Sequence, residues 1–397
     1  MDNWADRIDK VVWDFPAEDE VEAQTPTQFA AGKTDVFQAL LPYLERVQKR
    51  LRDILSFSGP LEPILTYLMS TTGKLLRPML VISSAWVFAP VDEVGWATNQ
   101  PFHPLGCRPE LKSGQKPDQE FMISMIIDIA AACEMVHIAS LVHDDIIDGS
   151  SERRGLPVIH DIWGIHSAIL TGDYLLSRAN NTALMYPGIG VAGLLNDAVE
   201  LMCRGEIAQD SRLYDSTVTA CDYFYQAGRK TAALMAAACK AGAMAAGGAP
   251  DAQEQLWQFG IRLGTAFQIA DDILDLTSDE KTLGKPVFND LKLGTLTLPL
   301  IYAMETTMRE DIVNCFGNKA LNPGRIPELR KKLVSSGCIR KAARVANSIL
   351  ESSRKNLLAL PPSYGRDYLL QISMQLGEKV MSAGAFSSET LEALGRP

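Results

Sequence analysis

Two aspartate-rich motifs contain the residues of this sequence that are best suited to chemistry. The pattern Asp-Asp-Ile-Ile-Asp occupies residues 144–148, and Asp-Asp-Ile-Leu-Asp occupies residues 271–275. Side chains four residues apart lie on one face of a helix, so the first and last aspartates of each motif can converge. Each motif ends a long apolar run, where the helix dipole is unfavourable for anions. A divalent cation would offset this repulsion, and an all-oxygen ligand set favours Mg²⁺.

Basic residues follow both motifs. Arg153 and Arg154 come just after the first motif, and Lys281 and Lys285 come just after the second. A single acidic helix end is more often a solvated surface feature. Two copies, each inside apolar sequence and each followed by cations, instead predict a diphosphate clamp. In such a clamp a metal ion neutralises the phosphate oxygens, and Arg and Lys side chains bind them.

A second cationic group precedes the first motif. Lys74 and Arg77 belong to the segment Gly-Lys-Leu-Leu-Arg-Pro at 73–78 and are three residues apart, so they would share a face if helical. The Gly and Pro of this segment indicate a helix start, where backbone N–H groups can also meet an anion. A plain basic turn is the alternative interpretation.

Polar residues inside apolar helices form a third group. His137 lies two turns before Asp144, Gln268 lies one turn before Asp271, and Lys230–Thr231 interrupts an alanine-rich run. Each has a structural alternative: a hydrogen-bonded core histidine, an amide that bonds only within its helix, and a lysine that reaches out to water. The aspartate motifs favour the functional interpretation.

Composition limits the class of protein. The 397 residues are 47% hydrophobic and carry a formal net charge of −10, which excludes a largely disordered chain and a basic nucleic-acid-binding surface. The seven cysteines are scattered without a Cys-x-x-Cys pair, which indicates reduced thiols and a cytoplasmic location. The charged N-terminus lacks the features of a signal peptide, and no uncharged apolar run is long enough to span a bilayer.

The pattern of apolar residues predicts an all-α protein. Apolar positions recur every three to four residues, and alternating β-branched runs are scarce. We expect an N-terminal extension at 1–34, with one short helix near 4–13, and a single all-α domain at 35–397, interrupted by a Pro- and Gly-containing loop or insertion at 90–120. Further helices are expected at 35–57, 60–71, 76–89, 121–147, 158–162, 166–184, 190–209, 219–246, 251–275, 297–307, 326–336, 339–358 and 365–383.

Taken together, these motifs resemble the trans-isoprenyl (polyprenyl) diphosphate synthase family, long-chain type, such as heptaprenyl or octaprenyl diphosphate synthases. The resemblance covers about 35–385, and its motifs match in order and spacing. They are Gly-Lys-Leu-Leu-Arg-Pro (73–78), Glu-Met-Val-His (134–137), His-Asp-Asp-Ile-Ile-Asp (143–148), Arg-Arg-Gly (153–155), Gly-Asp (172–173), Lys-Thr (230–231), Phe-Gln-Ile-Ala-Asp-Asp-Ile-Leu-Asp (267–275) and Leu-Gly-Lys-Pro (283–286).

The resemblance implies the isoprenoid synthase fold, a helical bundle around a deep central cavity, with three Mg²⁺ ions. It implies that an allylic diphosphate is held through metal by Asp144, Asp148 and Asp271, which Asp145, Asp272 and Asp275 support directly or through water. Contacts to the same diphosphate would come from Arg153, Lys230, Thr231, Gln268 and Lys285. Isopentenyl diphosphate would be bound by Lys74, Arg77, His137 and Arg154, with Phe267 packed near it.

The implied activity joins isopentenyl diphosphate to an allylic diphosphate by 1′-4 trans elongation. In the family, residues just before the first aspartate motif act as a floor under the growing chain. Ser140 and Ala139 are small, and Val136 and Cys133 below them are not bulky. We therefore expect a product beyond C20, in the range C30–C40, that serves as a quinone side chain. Alternatively, a side chain from another helix or from a partner subunit closes the tunnel.

One departure from the family and three open questions remain at this level. Where the family often has a Gly-Lys-x-Thr segment, this chain has Gly-Thr-Leu-Thr at 294–297. The expected partner is a second copy of the chain, with a small regulatory subunit or transient membrane contact as further options. A class I terpene cyclase is disfavoured by the isopentenyl-type cations, and a non-catalytic partner subunit is disfavoured because no aspartate of either motif is missing.

Overall fold

A computed structural model describes most of the chain. The described residues are 36–56, 59–71, 73–88, 119–278, 287–316 and 326–384. The predicted extension at 1–34, nearly all of the loop at 90–120, and Lys281 and Lys285 lie outside these ranges. The described chain is almost entirely helical, which confirms the all-α prediction.

Sixteen α-helices, one π-helix and one short strand pair make up the described chain. In chain order they are α1 (Val36–Leu55), α2 (Glu62–Ser70), α3 (Leu76–Ala85), α4 (Gln119–Ile147), β1 (Glu152–Arg153), β2 (Leu156–Pro157), α5 (Ile159–Trp163), α6 (Ile165–Ala183), α7 (Val191–Asp210), α8 (Ala220–Ala227), π1 (Gly228–Ala232), α9 (Ala233–Ala245), α10 (Pro250–Thr277), α11 (Asn289–Leu293), α12 (Leu298–Met304), α13 (Arg309–Phe316), α14 (Ile326–Ser336), α15 (Cys338–Leu358) and α16 (Tyr364–Gly384).

Small residues allow the central helices to approach one another closely. Helix α9 is mostly alanine and is buried on nearly every side, as expected for a helix that is apolar all round. It packs along α10, where Gly260 and Gly264 face Ala236 and Ala232. A Cβ atom at Gly260 would lie 2.4 Å from the Ala236 Cα atom, so the spacing of these two helices requires glycine. This close packing fixes the separation between π1, which precedes α9, and the second aspartate motif on α10.

The first aspartate motif ends the long central helix α4, which packs against α1, α3, α6 and α9. The segment Glu120–Ile147 is long and apolar enough to cross a membrane by length and composition. However, 78% of its most apolar window is buried inside the protein, which is typical of a core helix.

A tight hairpin follows α4 and was not predicted from the sequence. Its two-residue strands pair antiparallel, with Arg153 opposite Leu156. The turn residues Arg154 and Gly155 have φ values of 55° and 77°, as in the type I′ turns that suit two-residue hairpin loops. The Tyr67 hydroxyl of α2 donates to the Pro157 carbonyl at 2.6 Å and anchors the hairpin to the bundle. The hairpin therefore carries two adjacent arginines in a fixed orientation.

The helix predicted at 219–246 is interrupted. Its middle, Gly228–Ala232, is a π-helix that contains Lys230 and Thr231. Such wide turns are rare and occur frequently at functional sites. Gly205 of α7 lies against this turn, and a Cβ atom there would lie 2.7 Å from the Lys230 backbone nitrogen. Tertiary packing thus supports the unusual turn.

A buried ion pair lies far from the aspartate motifs, near the start of α4. Arg50 donates from Nε to Asp128, which also accepts a 2.6 Å hydrogen bond from the Tyr186 hydroxyl. We expect Asp128→Asn to lower the free energy of unfolding by about 3–5 kcal/mol, because it leaves the Arg50 charge buried without its partner. Urea denaturation measures this. The exposed Arg204–Glu200 pair on α7 is the control, since Glu200→Gln should cost at most about 1 kcal/mol. Equal effects of the two variants would contradict the prediction.

Candidate active site

A cavity of about 990 Å³ opens between the two aspartate motifs. Asp144 at the end of α4 and Asp271 at the end of α10 both line it. The predicted residues in its wall are Lys74, Arg77, Val136, His137, Ser140, Asp144, Arg153, Arg154, Lys230, Thr231, Phe267, Gln268 and Asp271. The fold thus brings residues of both aspartate motifs, and basic residues from distant parts of the sequence, to one cavity.

The other predicted residues lie beside this cavity or outside the described chain. Asp148 and Asp272 line an adjacent pocket of about 140 Å³. Asp145 lines a small pocket of about 70 Å³ behind the hairpin. Asp275, Cys133 and Ala139 are buried in the helical core. Lys285 belongs to the segment that the structure does not describe.

Burial disfavours the charged form of two aspartates of the first motif. Burial, together with the neighbouring carboxylates of Glu206 and Asp148, raises the pKa of Asp144 to about 6, although Lys230 acts against this shift. Burial also raises the pKa of Asp148. A bound divalent cation would stabilise both carboxylates in their charged form.

The donor set fits a metal ion that is shared with a ligand. In the described part of the chain, no three His, Cys, Asp or Glu side chains come together as a complete metal-ligand group. Mg²⁺ does not require such a group, because it commonly takes one or two carboxylates and completes its shell with water and phosphate oxygens. Asp144 and Asp271, which face one cavity from two helices, fit this mode of binding.

Asp145 holds Arg153 rather than facing the cavity. Arg153 donates from Nε and Nη2 to the Asp145 carboxylate at 2.7–3.1 Å. Such bidentate pairs fix the guanidinium plane. Asp145 therefore aims Arg153 at the cavity, in addition to any role it has toward metal.

The neighbouring Arg154 is fixed from the opposite side. Its Nη1 donates to the Thr71 carbonyl at 2.8 Å. Gly73 leaves room for this guanidinium, since a Cβ atom there would lie 2.5 Å from Arg154 Nη2. Arg154, Lys74 and Arg77 all line the cavity.

A buried carboxylate lies among these cations and has no role predicted from the sequence. Glu134 is in the cavity wall, and within the described part of the chain its Oε2 atom accepts no hydrogen bond. Burial raises its pKa, while Arg77 and Arg154 act in the opposite direction. Burial and then the cations Arg77, Arg153 and Arg154 hold the pKa of His137 well below its usual value. The Arg77 Nε atom likewise has no hydrogen-bond partner among the residues that the structure describes.

Lys230 projects from the π-helix toward both the cavity and α7. Its Nζ atom is 2.6 Å from Glu206 Oε2, and 3.5 Å from Gln209 Oε1. Burial alone would lower the pKa of Lys230, but Glu206 and Asp144 outweigh it and raise the pKa. The sequence analysis missed Glu206 and Gln209. Their spacing of three residues on one helix face was the only available signal.

A chain of hydrogen bonds connects the second motif to the π-helix. Gln268 donates to Asp272, Thr231 donates to Gln268, and the Tyr223 hydroxyl also donates to Asp272. Tyr223 was not predicted from the sequence. Gln268 and Thr231 line the cavity, whereas Asp272 and Tyr223 lie behind them.

The lower part of the cavity is apolar. Its wall combines Val136, Leu176, Val199, Met202 and Leu234. Val136 lies about 12 Å below Asp144 along α4, at 1.5 Å per residue. The site therefore consists of a charged mouth above an apolar shaft.

Comparison with known proteins identifies the family. Residues 59–333 match the family model described as polyprenyl synthetase. The chain belongs to this family. It is 30% identical over 337 residues to heptaprenyl diphosphate synthase component 2 of Geobacillus stearothermophilus, covering 85% of this chain and 95% of that protein. It is 34% identical over 350 residues to an all-trans-polyprenyl-diphosphate synthase of Mus musculus, covering 87% and 79%.

The chain spans only part of some relatives. Its match to solanesyl diphosphate synthase 2, chloroplastic, of Arabidopsis thaliana is 37% identical over 243 residues and covers 61% of this chain and 57% of that protein.

Solved structures agree with the family assignment. A polyprenyl synthase from Caulobacter crescentus CB15, complexed with calcium and isoprenyl diphosphate, superimposes with a TM-score of 0.74 at 26% identity, over 87% of this chain and 96% of that one. Heptaprenyl diphosphate synthase from Staphylococcus aureus gives a TM-score of 0.72 at 28% identity, over 87% and 99%. The predicted isoprenoid synthase fold is confirmed.

Proposed function

We propose that the protein is a Mg²⁺-dependent trans-polyprenyl diphosphate synthase that elongates an allylic diphosphate with isopentenyl diphosphate. The observation that carries this proposal is one cavity that is lined by aspartates of both motifs, by five cationic side chains and by apolar residues. The relatives named as heptaprenyl and polyprenyl diphosphate synthases support it. The similar Caulobacter crescentus structure, which contains calcium and isoprenyl diphosphate, supports a divalent ion at such a site.

The two sides of the mouth suit two diphosphates. Arg153 and Lys230, with Thr231 and Gln268, would bind the allylic diphosphate next to the aspartates. Lys74, Arg77 and Arg154 would bind isopentenyl diphosphate on the opposite side, where the unpartnered Arg77 Nε atom can donate to a phosphate oxygen. A terpene cyclase requires only one diphosphate site, so the second cationic group favours elongation.

The residues can perform the reaction by position and charge. The allylic carbon–oxygen bond breaks with its electron pair leaving on the diphosphate, and Arg153 and Lys230 stabilise that developing charge. Asp144, Asp148 and Asp271 would hold the metal, which would supply Lewis-acid neutralisation of the same oxygens. The double bond of isopentenyl diphosphate attacks the allylic cation. Proton loss to the released diphosphate then gives a product one isoprene unit longer. The apolar shaft excludes water, which would otherwise quench the cation.

We propose a product of C30–C40, because the cavity wall below Asp144 contains Ser140 and Val136 rather than an aromatic side chain. A quinone side chain is the expected use of such a product. The magnesium count of three and a cytoplasmic location belong to the same proposal.

We also propose a homodimer. Ile207 lines the cavity, yet 69% of its surface is exposed, so the apolar wall on the α7 side is incomplete in one chain. A second copy of the chain would cover it. A small second subunit is the alternative, suggested by the relative that is named as component 2 of heptaprenyl diphosphate synthase.

Incubation of the purified chain alone tests these proposals. With Mg²⁺, farnesyl diphosphate and labelled isopentenyl diphosphate, we expect labelled products longer than C20, and EDTA should abolish their formation until Mg²⁺ is restored in excess. Products that stop at C20 or below would refute the chain-length proposal. Cyclised hydrocarbons would indicate a cyclase. Incorporation only after a second subunit is added would refute the homodimer.

A further inference from the structure

Tyr223 occupies a position that connects it to the active site without touching the cavity. It lies on α8 and is 5% exposed. A capping box fixes the start of this helix: the Thr219 hydroxyl accepts from the Asp222 backbone N–H at 3.3 Å, and the Asp222 carboxylate accepts from the Thr219 N–H at 2.9 Å. The Tyr223 hydroxyl donates to Asp272 Oδ2 at 2.5 Å.

The hydrogen bonds continue from Asp272 toward the cavity. Asp272 Oδ1 accepts from Gln268 Nε2 at 2.8 Å, and Gln268 Oε1 accepts from the Thr231 hydroxyl at 2.6 Å. An amide has one donor end and one acceptor end. Because the carboxylate takes the donor end, the carbonyl of Gln268 must face Thr231. Three hydrogen bonds thus run in series from Tyr223 to the residue next to Lys230.

Both carboxylate oxygens of Asp272 take part in this series of hydrogen bonds. Asp272 is 3% exposed, and each of its carboxylate oxygens accepts from a protein donor. Gln268, Thr231 and Lys230 line the main cavity, whereas Asp272 and Tyr223 line only the pocket behind it. Through Gln268, Asp272 is connected to the wall of the main cavity.

We propose that Tyr223 is a positioning residue for the allylic diphosphate subsite, because its hydroxyl holds Asp272, and through it Gln268 and the π-helix turn that carries Lys230. This inference rests on the proposed prenyltransferase function. It assigns Asp272 the role of linking α8 to α10 through hydrogen bonds.

The π-helix explains why this support is needed. A π-turn has wide geometry that local sequence rarely favours, so its shape depends on tertiary contacts. Gly205 supports the backbone from the α7 side, and Thr231 ties the turn to Gln268 on α10. Without the tyrosine hydroxyl, a buried carboxylate oxygen of Asp272 loses its donor. Asp272 would then seek another donor, and the amide of Gln268 would lose its fixed orientation.

Tyr223→Phe tests the proposal, because it removes only the hydroxyl and keeps the ring. We expect kcat/KM for the allylic diphosphate to fall by about tenfold or more, the value of a buried hydrogen bond to a charged group. The KM for isopentenyl diphosphate should stay within about twofold, since Lys74, Arg77 and Arg154 take no part in these three hydrogen bonds. The matched control is Tyr225→Phe on the same helix, whose partly exposed ring faces Arg229. This control should change neither constant.

A double-mutant cycle separates positioning from general stability. In an Asp272→Asn background, Tyr223→Phe should lower kcat/KM for the allylic diphosphate by less than about twofold further, because the series of hydrogen bonds through Asp272 is already broken. Kinetic constants of Tyr223→Phe equal to those of Tyr225→Phe would overturn the proposal. So would additive effects in the cycle, or equal losses for both substrates that follow the fraction of folded protein in a thermal melt. The wild-type protein tests the proposed function separately. If it incorporates no isopentenyl diphosphate at all, the proposed function is wrong, whatever the variants show.

Discussion

Asp144→Ala and Asp271→Ala should each lower kcat by a factor of about 10³ or more, since removing even one donor that stabilises developing charge commonly costs 10²–10³. The two carboxylates face one cavity from different helices, and each would hold positive charge against the departing diphosphate. Removing either leaves that charge unneutralised at the moment the carbon–oxygen bond breaks. Single-turnover assays at saturating Mg²⁺ and substrate measure the effect on chemistry.

The control for this pair is Asp53→Ala on α1, an exposed aspartate on a helix that does not line the cavity. It should retain the wild-type rate. Unchanged turnover of Asp144→Ala or Asp271→Ala in the assembled enzyme would instead show that catalysis resides in another chain. The non-catalytic subunit considered from the sequence would then become the correct interpretation.

Ser140→Phe should shorten the product. Ser140 lines the shaft about one turn below Asp144, and its hydroxyl donates to the His137 carbonyl at 2.9 Å. A phenyl ring there would close the shaft about 6 Å below Asp144 instead of about 12 Å, the depth of Val136, so we expect a product shorter by at least about one isoprene unit. Chromatography of the dephosphorylated products measures the shift.

Ser140→Ala is the matched control, since it removes the hydroxyl without filling the shaft and should leave product length unchanged. The first condensation should also remain near the wild-type rate in Ser140→Phe, because the charged mouth is untouched. If Ser140→Phe makes the same long product, the chain does not grow down this shaft. An exit on the α7 side, past the exposed Ile207, would then be indicated.

The sequence predicted the helices and the mouth of the site well, for a physical reason. Apolar periodicity fixes helices locally, and the two aspartate motifs lie near the ends of two long, largely buried helices. Helical geometry also limits which floor residues can face the shaft. Ala139 is rotated by about 140° from Asp144, at about 100° per residue, so it is buried in the core rather than placed in the cavity wall.

Features that depend on distant partners could not be predicted. The hairpin has strands of only two residues, joined by the turn Arg154–Gly155. Strands this short leave no alternating pattern in the sequence from which they could be predicted. The π-turn depends on Gly205 from another helix. The metal roles implied for Asp145 and Asp272 remain predictions. Their partners Arg153 and Tyr223 are visible only once the chain is folded.

The two-residue turn of the hairpin has a consequence for how the substrates meet. Arg153 is tied to the helix of the first motif and Arg154 to the loop that precedes α3, so adjacent residues reach toward both reactants. Their separation along the backbone is a single peptide unit, which is among the least extensible links a protein offers. Under the proposed function, the hairpin would act as a spacer of fixed length between the two substrates, and an insertion in it would separate the reacting carbons even if every charged side chain were kept.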